Sequence, residues 1–103
     1  MDYEVVISEQ AEDDLANIYS YIRHVLKSEI NADAVLGRLY SALEELKFMA
    51  GSHRLYPNKP WHSLGIHYFS LKNYSVFYVV KDSVATVIHV AYGKRDLDKV
   101  LAN

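Results

Sequence analysis

Val84-Ala85-Thr86-Val87-Ile88-His89-Val90-Ala91, followed at once by Tyr92-Gly93-Lys94-Arg95-Asp96, is the stretch on which the architecture of this 103-residue chain turns. Its first eight residues are rich in β-branched side chains, carry few polar groups on either face and end in turn chemistry. They therefore read as a strand buried on both sides, or nearly so. A buried strand that delivers a glycine and two adjacent cations to its own end fixes positive charge in space, which is a common way to build an anion-facing site. The plainer reading is that Gly93 lets the chain turn while Lys94 and Arg95 are solvated, as most exposed cations are.

Working backwards from this strand, two further strands make a meander with it. They are Ile66–Leu71, a turn at Lys72-Asn73, and Tyr74–Val80, followed by a turn at Lys81-Asp82-Ser83. Residues 51–65 hold two prolines and two glycines and exclude a regular element. Before them lie two amphipathic helices. In the first, Ser8 is placed to cap, Glu9, Glu12, Asp13 and Asp14 suit the positive end of the helix dipole, and Ala11, Leu15, Ile18, Ile22 and Leu26 recur at helical spacing. The pattern breaks near Lys27-Ser28, with Ser28 or Asn31 as the next cap. A second stripe runs through Ala32, Leu36, Leu39, Leu43, Leu46 and Met49 to a stop at Gly51. With a short strand at Tyr3–Ile7 and a last short helix or tail begun by Asp96, the order is β-α-α-β-β-β. The expected class is α+β: a helical hairpin packed on a small, mostly antiparallel sheet in a single domain, 1–103.

Composition narrows the function classes. The chain has no cysteine, which excludes disulfides and thiolate metal sites and permits a reducing cytoplasm. No apolar run reaches the roughly 18 residues needed to span a bilayer, and the N-terminus lacks a signal peptide's order, so no membrane partner is expected. The net charge of −2 is unevenly spread. Residues 1–50 hold four Lys/Arg against ten Asp/Glu, while residues 51–103 hold seven against three, together with four of the five histidines. An acidic scaffold thus carries a mildly basic working surface, far short of a strongly basic DNA-binding domain.

The usual catalytic signatures are missing. There is no phosphate-cradling glycine loop, no Gly-x-Ser-x-Gly elbow and no histidine pair with metal-ligand spacing, so no metal or cofactor is expected. What remains is a diffuse set from the second half: His53, Arg54, His62, His67, Lys72, His89, Tyr92, Lys94 and Arg95. Arg and Lys can hold phosphate or stabilise its transition state, and His or Tyr can move a proton, which is all that metal-free RNA cleavage through the 2′-hydroxyl requires. The same groups equally make a cationic, aromatic protein-binding surface. The catalytic candidates are Arg95, Tyr92, His67 and His89; the target-binding candidates are Lys94, Arg95, Tyr92, Arg54 and Lys72.

Four motifs in order resemble the RelE/ParE superfamily of bacterial toxins over essentially the whole chain. They are Ser8-Glu9-Gln10-Ala11-Glu12-Asp13-Asp14-Leu15, Ile18-Tyr19-Ser20-Tyr21-Ile22, Asn73-Tyr74-Ser75-Val76-Phe77-Tyr78 and Gly93-Lys94-Arg95-Asp96. The resemblance implies the toxin of a type II toxin–antitoxin pair of the plasmid-stabilisation type, held by a protein antitoxin whose C-terminal segment wraps it, as a homodimer or a hetero-oligomer. RelE-like members are ribosome-dependent mRNA endonucleases, and ParE-like members inhibit DNA gyrase without being nucleases.

Of the RelE-like functional groups only the arginine after the final Gly-Lys is matched, by Arg95. Ser75 stands where the central arginine would be, Ile66 and Tyr68 where the preceding strand's lysines would be, and Leu101 where the C-terminal tyrosine would be. Tyr92 replaces the histidine of ParE-like His-Gly-Arg-Arg-Asp endings, and His67 a common arginine before the central strand. The tyrosine-rich Ile18–Ile22 is the more ParE-like trait. The resemblance therefore leans toward the gyrase-inhibiting branch, with the endoribonuclease and a non-toxic interaction domain of the same fold as the alternatives.

Overall fold

The computed structural model describes residues 2–93. Strand β1 (Glu4–Ile7) leads into helix α1 (Glu9–Ser20), a π-helical turn (Tyr21–Val25) and helix α2 (Glu29–Met49), and the connection 50–65 then brings the chain to β2 (Ile66–Leu71), β3 (Tyr74–Lys81) and β4 (Val84–Tyr92). The four strands form one sheet in the order β1-β4-β3-β2, with β1 parallel to β4 and the other pairings antiparallel. The fold is thus α+β with the expected β-α-α-β-β-β order. The strand opened by Val84 is internal, held between β1 and β3. Lys94, Arg95 and the short helix begun by Asp96 lie outside the described residues.

Local chemistry explains the elements. The Ser8 side chain accepts from the Ala11 N–H at 3.1 Å, and Ser28, rather than Asn31, caps α2 by accepting from the Asn31 N–H at 3.3 Å. The β3–β4 hairpin closes on Asp82-Ser83, both with positive φ (51° and 65°), the two-residue geometry whose twist matches the flanking strands.

The helical layer and the inner sheet face bury Ala11, Leu15, Leu39, Leu43, Leu46, Val76, Tyr78, Ala85, Val87 and Val90. The Tyr78 hydroxyl reaches through this core to donate to the Ala50 carbonyl at 2.5 Å. The other sheet face is covered by the connection 50–65, whose Tyr56 and Trp61 pack with Ile66, Tyr68, Phe77, Val79, Ile88 and Ala91.

Two expected stripe residues leave the core. Leu26 is 58% exposed because the chain winds wider from Tyr21 to Val25: the Leu26 N–H bonds back five residues to the Tyr21 carbonyl at 3.2 Å, which rotates the stripe off the core. Met49, at the last helical position, is 41% exposed, and Ala50 takes its place inside. Gly51 follows the helix where a stop was expected, yet without a left-handed φ. Its missing Cβ instead makes room for Tyr3, whose Oη would lie 2.5 Å from that atom.

Candidate functional site

Where β4 ends, the chain passes between two grooves. Gly93 takes φ 81°, a conformation that favours glycine, and its N–H donates to the Asn73 carbonyl at 2.5 Å. Its carbonyl accepts from the Ser75 hydroxyl at 2.9 Å. The turn holding Lys72 and Asn73 is therefore tied to the point from which Lys94 and Arg95 continue in sequence. Of the candidates, Lys72 and Tyr92 are brought to this end of the sheet and both are exposed. Arg54 lies farther off, in the connection 50–65.

On the helical side of Gly93 is an apolar groove of about 610 Å³ lined by Asn17, Ile18, Tyr21, Ile22, Leu26, Tyr74 and Tyr92. Tyr74 and Tyr92 meet edge to face, 5.5 Å between ring centres. Burial first, and then the neighbouring Tyr92, push the Tyr74 phenol above its ordinary pKa, with Arg38 working against them. Near neutral pH Tyr74 is an uncharged aromatic wall of this groove. Sequence reasoning singled out Tyr92 but not its companions, because Tyr21 and Tyr74 come from distant segments that only the tertiary fold brings together.

On the opposite side is a more polar groove of about 880 Å³, lined in part by Ser52, His53, Arg54, Asn58, Ser70 and Ser75. Its floor is aromatic: Tyr56 lies 5.4 Å from Tyr68 and 5.9 Å from Phe77, and the Arg54 guanidinium sits 5.9 Å from the centre of the Tyr68 ring. Residues 54–56 run antiparallel along the outer edge of β2. The Tyr56 N–H donates to the Ile66 carbonyl at 2.7 Å and the Tyr68 N–H to the Arg54 carbonyl at 3.1 Å, which fixes Arg54 at the groove's rim.

The two histidine candidates are each held through Nδ1. His67 Nδ1 is 2.8 Å from the His53 carbonyl, so that nitrogen carries the proton and donates; the ring stacks on Tyr78 at 5.1 Å. His53 in turn stacks on Phe69 at 4.6 Å, and burial, with His67 second, pulls its pKa below the ordinary histidine value.

His89 Nδ1 lies 3.1 Å from Asp14 Oδ2, and the same oxygen accepts from the Val90 N–H at 3.0 Å. The cause is a bulge. Phe77 registers with His89 and Tyr78 with Val87, so Ile88 is extra on β4, just past the end of the parallel β1 pairing at Ile7–Val87. Helix α1 replaces the missing strand there: the Ser8 N–H donates to the Val87 carbonyl at 2.9 Å, the Ser8 hydroxyl donates to the Ile88 carbonyl at 3.3 Å, and Asp14 serves Val90.

Asp14 was read from sequence as a helix-dipole acid. The signal that gives it a second role is its position among Ala11, Leu15 and Ile18, an acid on the apolar face. Among the described residues no group of three or more His, Asp or Glu side chains is gathered to hold a metal ion. Nor is any of their helices long and apolar enough to cross a membrane.

These features, a helical hairpin on a four-stranded sheet with grooves at the end of β4, define a class that the comparisons identify. The family of the ParE toxin of type II toxin–antitoxin systems, parDE, matches residues 5–97. The chain belongs to this toxin family. Among solved structures it is similar to the chromosomal ParDE toxin–antitoxin system from P. aeruginosa, with 18% identity, 89% of this chain and 97% of that one covered, and a TM-score of 0.75. It is similar too to the RelBE2 toxin–antitoxin complex from Mycobacterium tuberculosis, with 12% identity, coverage of 89% and 99%, and a TM-score of 0.67. A mutant E. coli RelE toxin in the free state aligns with 22% identity, coverage of 99% and 93%, and a TM-score of 0.53. At these identities the likeness is one of fold. No curated protein sequence matches the chain.

Proposed function

We propose that this chain is a growth-arresting toxin that inhibits DNA gyrase by binding it in the cytoplasm, with no chemistry of its own, and that a cognate protein antitoxin neutralises it. The observation that carries this reading is that Ile66 and Tyr68 are packed with the aromatic cluster at the positions where an endonuclease of this superfamily would carry lysines, with Ser75 in place of its central arginine. Ser75 stands where an endonuclease of this superfamily would carry an arginine, and its hydroxyl is spent on the Gly93 carbonyl. His67 is held by a backbone carbonyl and an aromatic stack, and His89 by a carboxylate. General acid–base work needs a group within reach of the substrate and able to exchange its proton. Nδ1 contacts of this kind orient both rings and leave Nε2 as the atom that would exchange a proton, so the reading rests on the missing arginine and lysines and not on the histidines.

On this reading Lys94, Arg95, Tyr92, Lys72 and Arg54 are target contacts, with Arg95 the residue whose fixed charge and two-point geometry matter most. The decisive experiment is induced expression beside an Arg95→Ala variant. The expected result is DNA-damage induction with intact mRNA and inhibition of supercoiling by purified gyrase, lost in Arg95→Ala with little change in melting temperature. Cleaved mRNA on stalled ribosomes would instead establish the endonuclease reading. A harmless wild-type chain would establish the non-toxic one, and a folded, fully toxic Arg95→Ala would remove this end of the sheet from the working site.

A further inference from the structure

Helix α2 is built to be covered on two faces. One buries Ala32, Leu39, Leu43 and Leu46 in the core. On the opposite side Ala34, Gly37, Ser41 and Phe48 recur at spacings that keep one face of a helix, and all four are exposed, Phe48 by 63%. Gly37 has no reason within the chain to be glycine. Its φ is not left-handed, and a Cβ added there would meet nothing within 4 Å. Glycine inside a helix lowers stability relative to alanine, so an exposed one with open space around it points to a close approach from outside the chain. It lies in a concavity of about 580 Å³ whose floor includes Ala34, Ser41 and Ala42 and whose flank carries Arg38 and Glu45.

The features of this face match one another about a single point, the Ser41–Ala42 step. Arg38 stands three residues before it and Glu45 three after, on the same flank, and among the described residues neither forms an ion pair. A second α2 laid antiparallel across a two-fold axis at that step sets Arg38 opposite the partner's Glu45. It also brings Phe48 level with the small pair formed by the partner's Ala34 and the partner's Gly37. On the other flank Lys47 comes within three residues, about 4.5 Å of helix rise, of the partner's Asp33, which already accepts from a tyrosine hydroxyl in its own chain. Glu44 comes beside the hydroxyl of the partner's Tyr40. The face thus holds both a knob and the hole that fits it, with opposite charges in matching places. A target or an antitoxin of unrelated sequence needs a surface that matches this one, and does not require this one to match itself. Nucleic acid is disfavoured, since Asp33, Glu44 and Glu45 outnumber Arg38 and Lys47.

We infer that the outward face of α2 is an interface through which two copies of this chain pair, Phe48 of each seated over Gly37 of the other and the Arg38–Glu45 pairs fixing the register. A single helix pair is a smaller contact than a permanent interface, so the dimer dissociates on dilution. None of the residues around this concavity lines either groove at the end of β4 except through the sheet's own edge, where Leu71 belongs to the concavity alone. Pairing and target binding therefore use separate surfaces, and the inference stands apart from the identity of the target.

The test is sedimentation of the purified full-length chain over a range of concentrations, beside Gly37→Leu, Phe48→Ser, Arg38→Glu, Glu45→Arg and the double variant Arg38→Glu/Glu45→Arg. The wild type should dimerise reversibly. Gly37→Leu should melt at or above the wild-type temperature when dilute, because leucine is the better helix former, and yet weaken the dimer by about tenfold or more. Phe48→Ser should weaken it by a similar factor. Each charge reversal should weaken the dimer and the double variant should restore it, a rescue that two residues about 10.5 Å apart along one helix do not provide within a single chain. A wild type still monomeric at about 1 mM overturns the proposal. So does a dimer that Gly37→Leu and Phe48→Ser leave at full strength, or a well-folded double variant that stays as weak as the single reversals. Variants that dimerise like the wild type but no longer inhibit gyrase give the face to the target, and they overturn the proposal too.

Discussion

Replacing Asp14 with alanine should destabilise the protein far more than loss of an ordinary helix-surface acid. Its carboxylate accepts from the Val90 N–H at 3.0 Å and pairs with His89 Nδ1 at 3.1 Å, and both side chains of the pair are only about one-sixth exposed, 16% and 15%. The Val90 N–H lies beyond the end of β1 and beside the Ile88 bulge, where neither neighbouring strand serves it. Leaving such a donor without an acceptor costs about 1–3 kcal/mol, and losing a hydrogen bond to a charged group adds about 1 kcal/mol more. The expected total is about 2–4 kcal/mol, which for a domain of this size is roughly 10–20 °C in melting temperature. Asp14→Asn keeps an oxygen for Val90 and should lose roughly half as much. Urea unfolding should show a lower midpoint with an unchanged slope. In a double-mutant cycle, Asp14→Ala and His89→Ala should be non-additive by about 0.5–3 kcal/mol, as for residues in direct contact. An Asp14→Ala protein within about 0.5 kcal/mol of wild type would refute the claim that α1 stands in for the missing strand.

Leu43→Ala should cost about 2–5 kcal/mol, since Leu43 is 1% exposed beneath the sheet, while Glu45→Ala on the solvent side should leave the melting temperature nearly unchanged. Burial, with Tyr3 second, pushes the Tyr78 phenol up to about 12. Folding therefore favours the protonated form, and this contribution, complete below pH 10, is lost as pH rises toward 12; wild type should weaken over that window more steeply than Tyr78→Phe in chemical denaturation. His53, pulled below the ordinary value of 6.5 mainly by burial, works in the opposite sense. Its contribution is present above pH 6.5 and lost as pH falls through its lowered folded pKa, so His53→Phe should be less acid-sensitive, and an NMR titration midpoint for His53 at or above 6.5 would contradict the burial argument.

Much of the fold was legible because local signals and periodicity agreed. Ser8 and Ser28 cap the helices they precede, Leu15, Leu39, Leu43 and Leu46 are all buried, and the strand bounds fall within a residue of those read from the alternation. Periodicity failed at Leu26, where extrapolating 3.6 residues per turn cannot anticipate a switch to a wider helix. It failed again at Met49, the last helical position, where Ala50 fills the core instead. The candidate site was legible in kind more than in place. Tyr92 and Lys72 do reach the end of β4, but the groove beside them needs Tyr21 and Tyr74, whose juxtaposition depends on how the hairpin lies over the sheet. The partners of His67 and His89 were the least legible, because a carbonyl or an acid supplied by another element leaves no signature in the histidine's own segment.

The same contacts bear on how such a chain can act. Asp14, His89, His67 and Ser75 each help to hold β4, the β2 face or the Gly93 exit in one conformation. Their cumulative effect is a stiff sheet end from which a glycine sends two cations onward. On its helical side lies an apolar tyrosine-walled groove, running on to the exposed side chains of Tyr21 and Leu26. Rigid apolar surface edged with positive charge gains affinity by shape and by desolvation, since little conformational entropy is lost on contact. This profile supports the proposed gyrase inhibition, in which what matters is where the toxin binds and not what it cleaves.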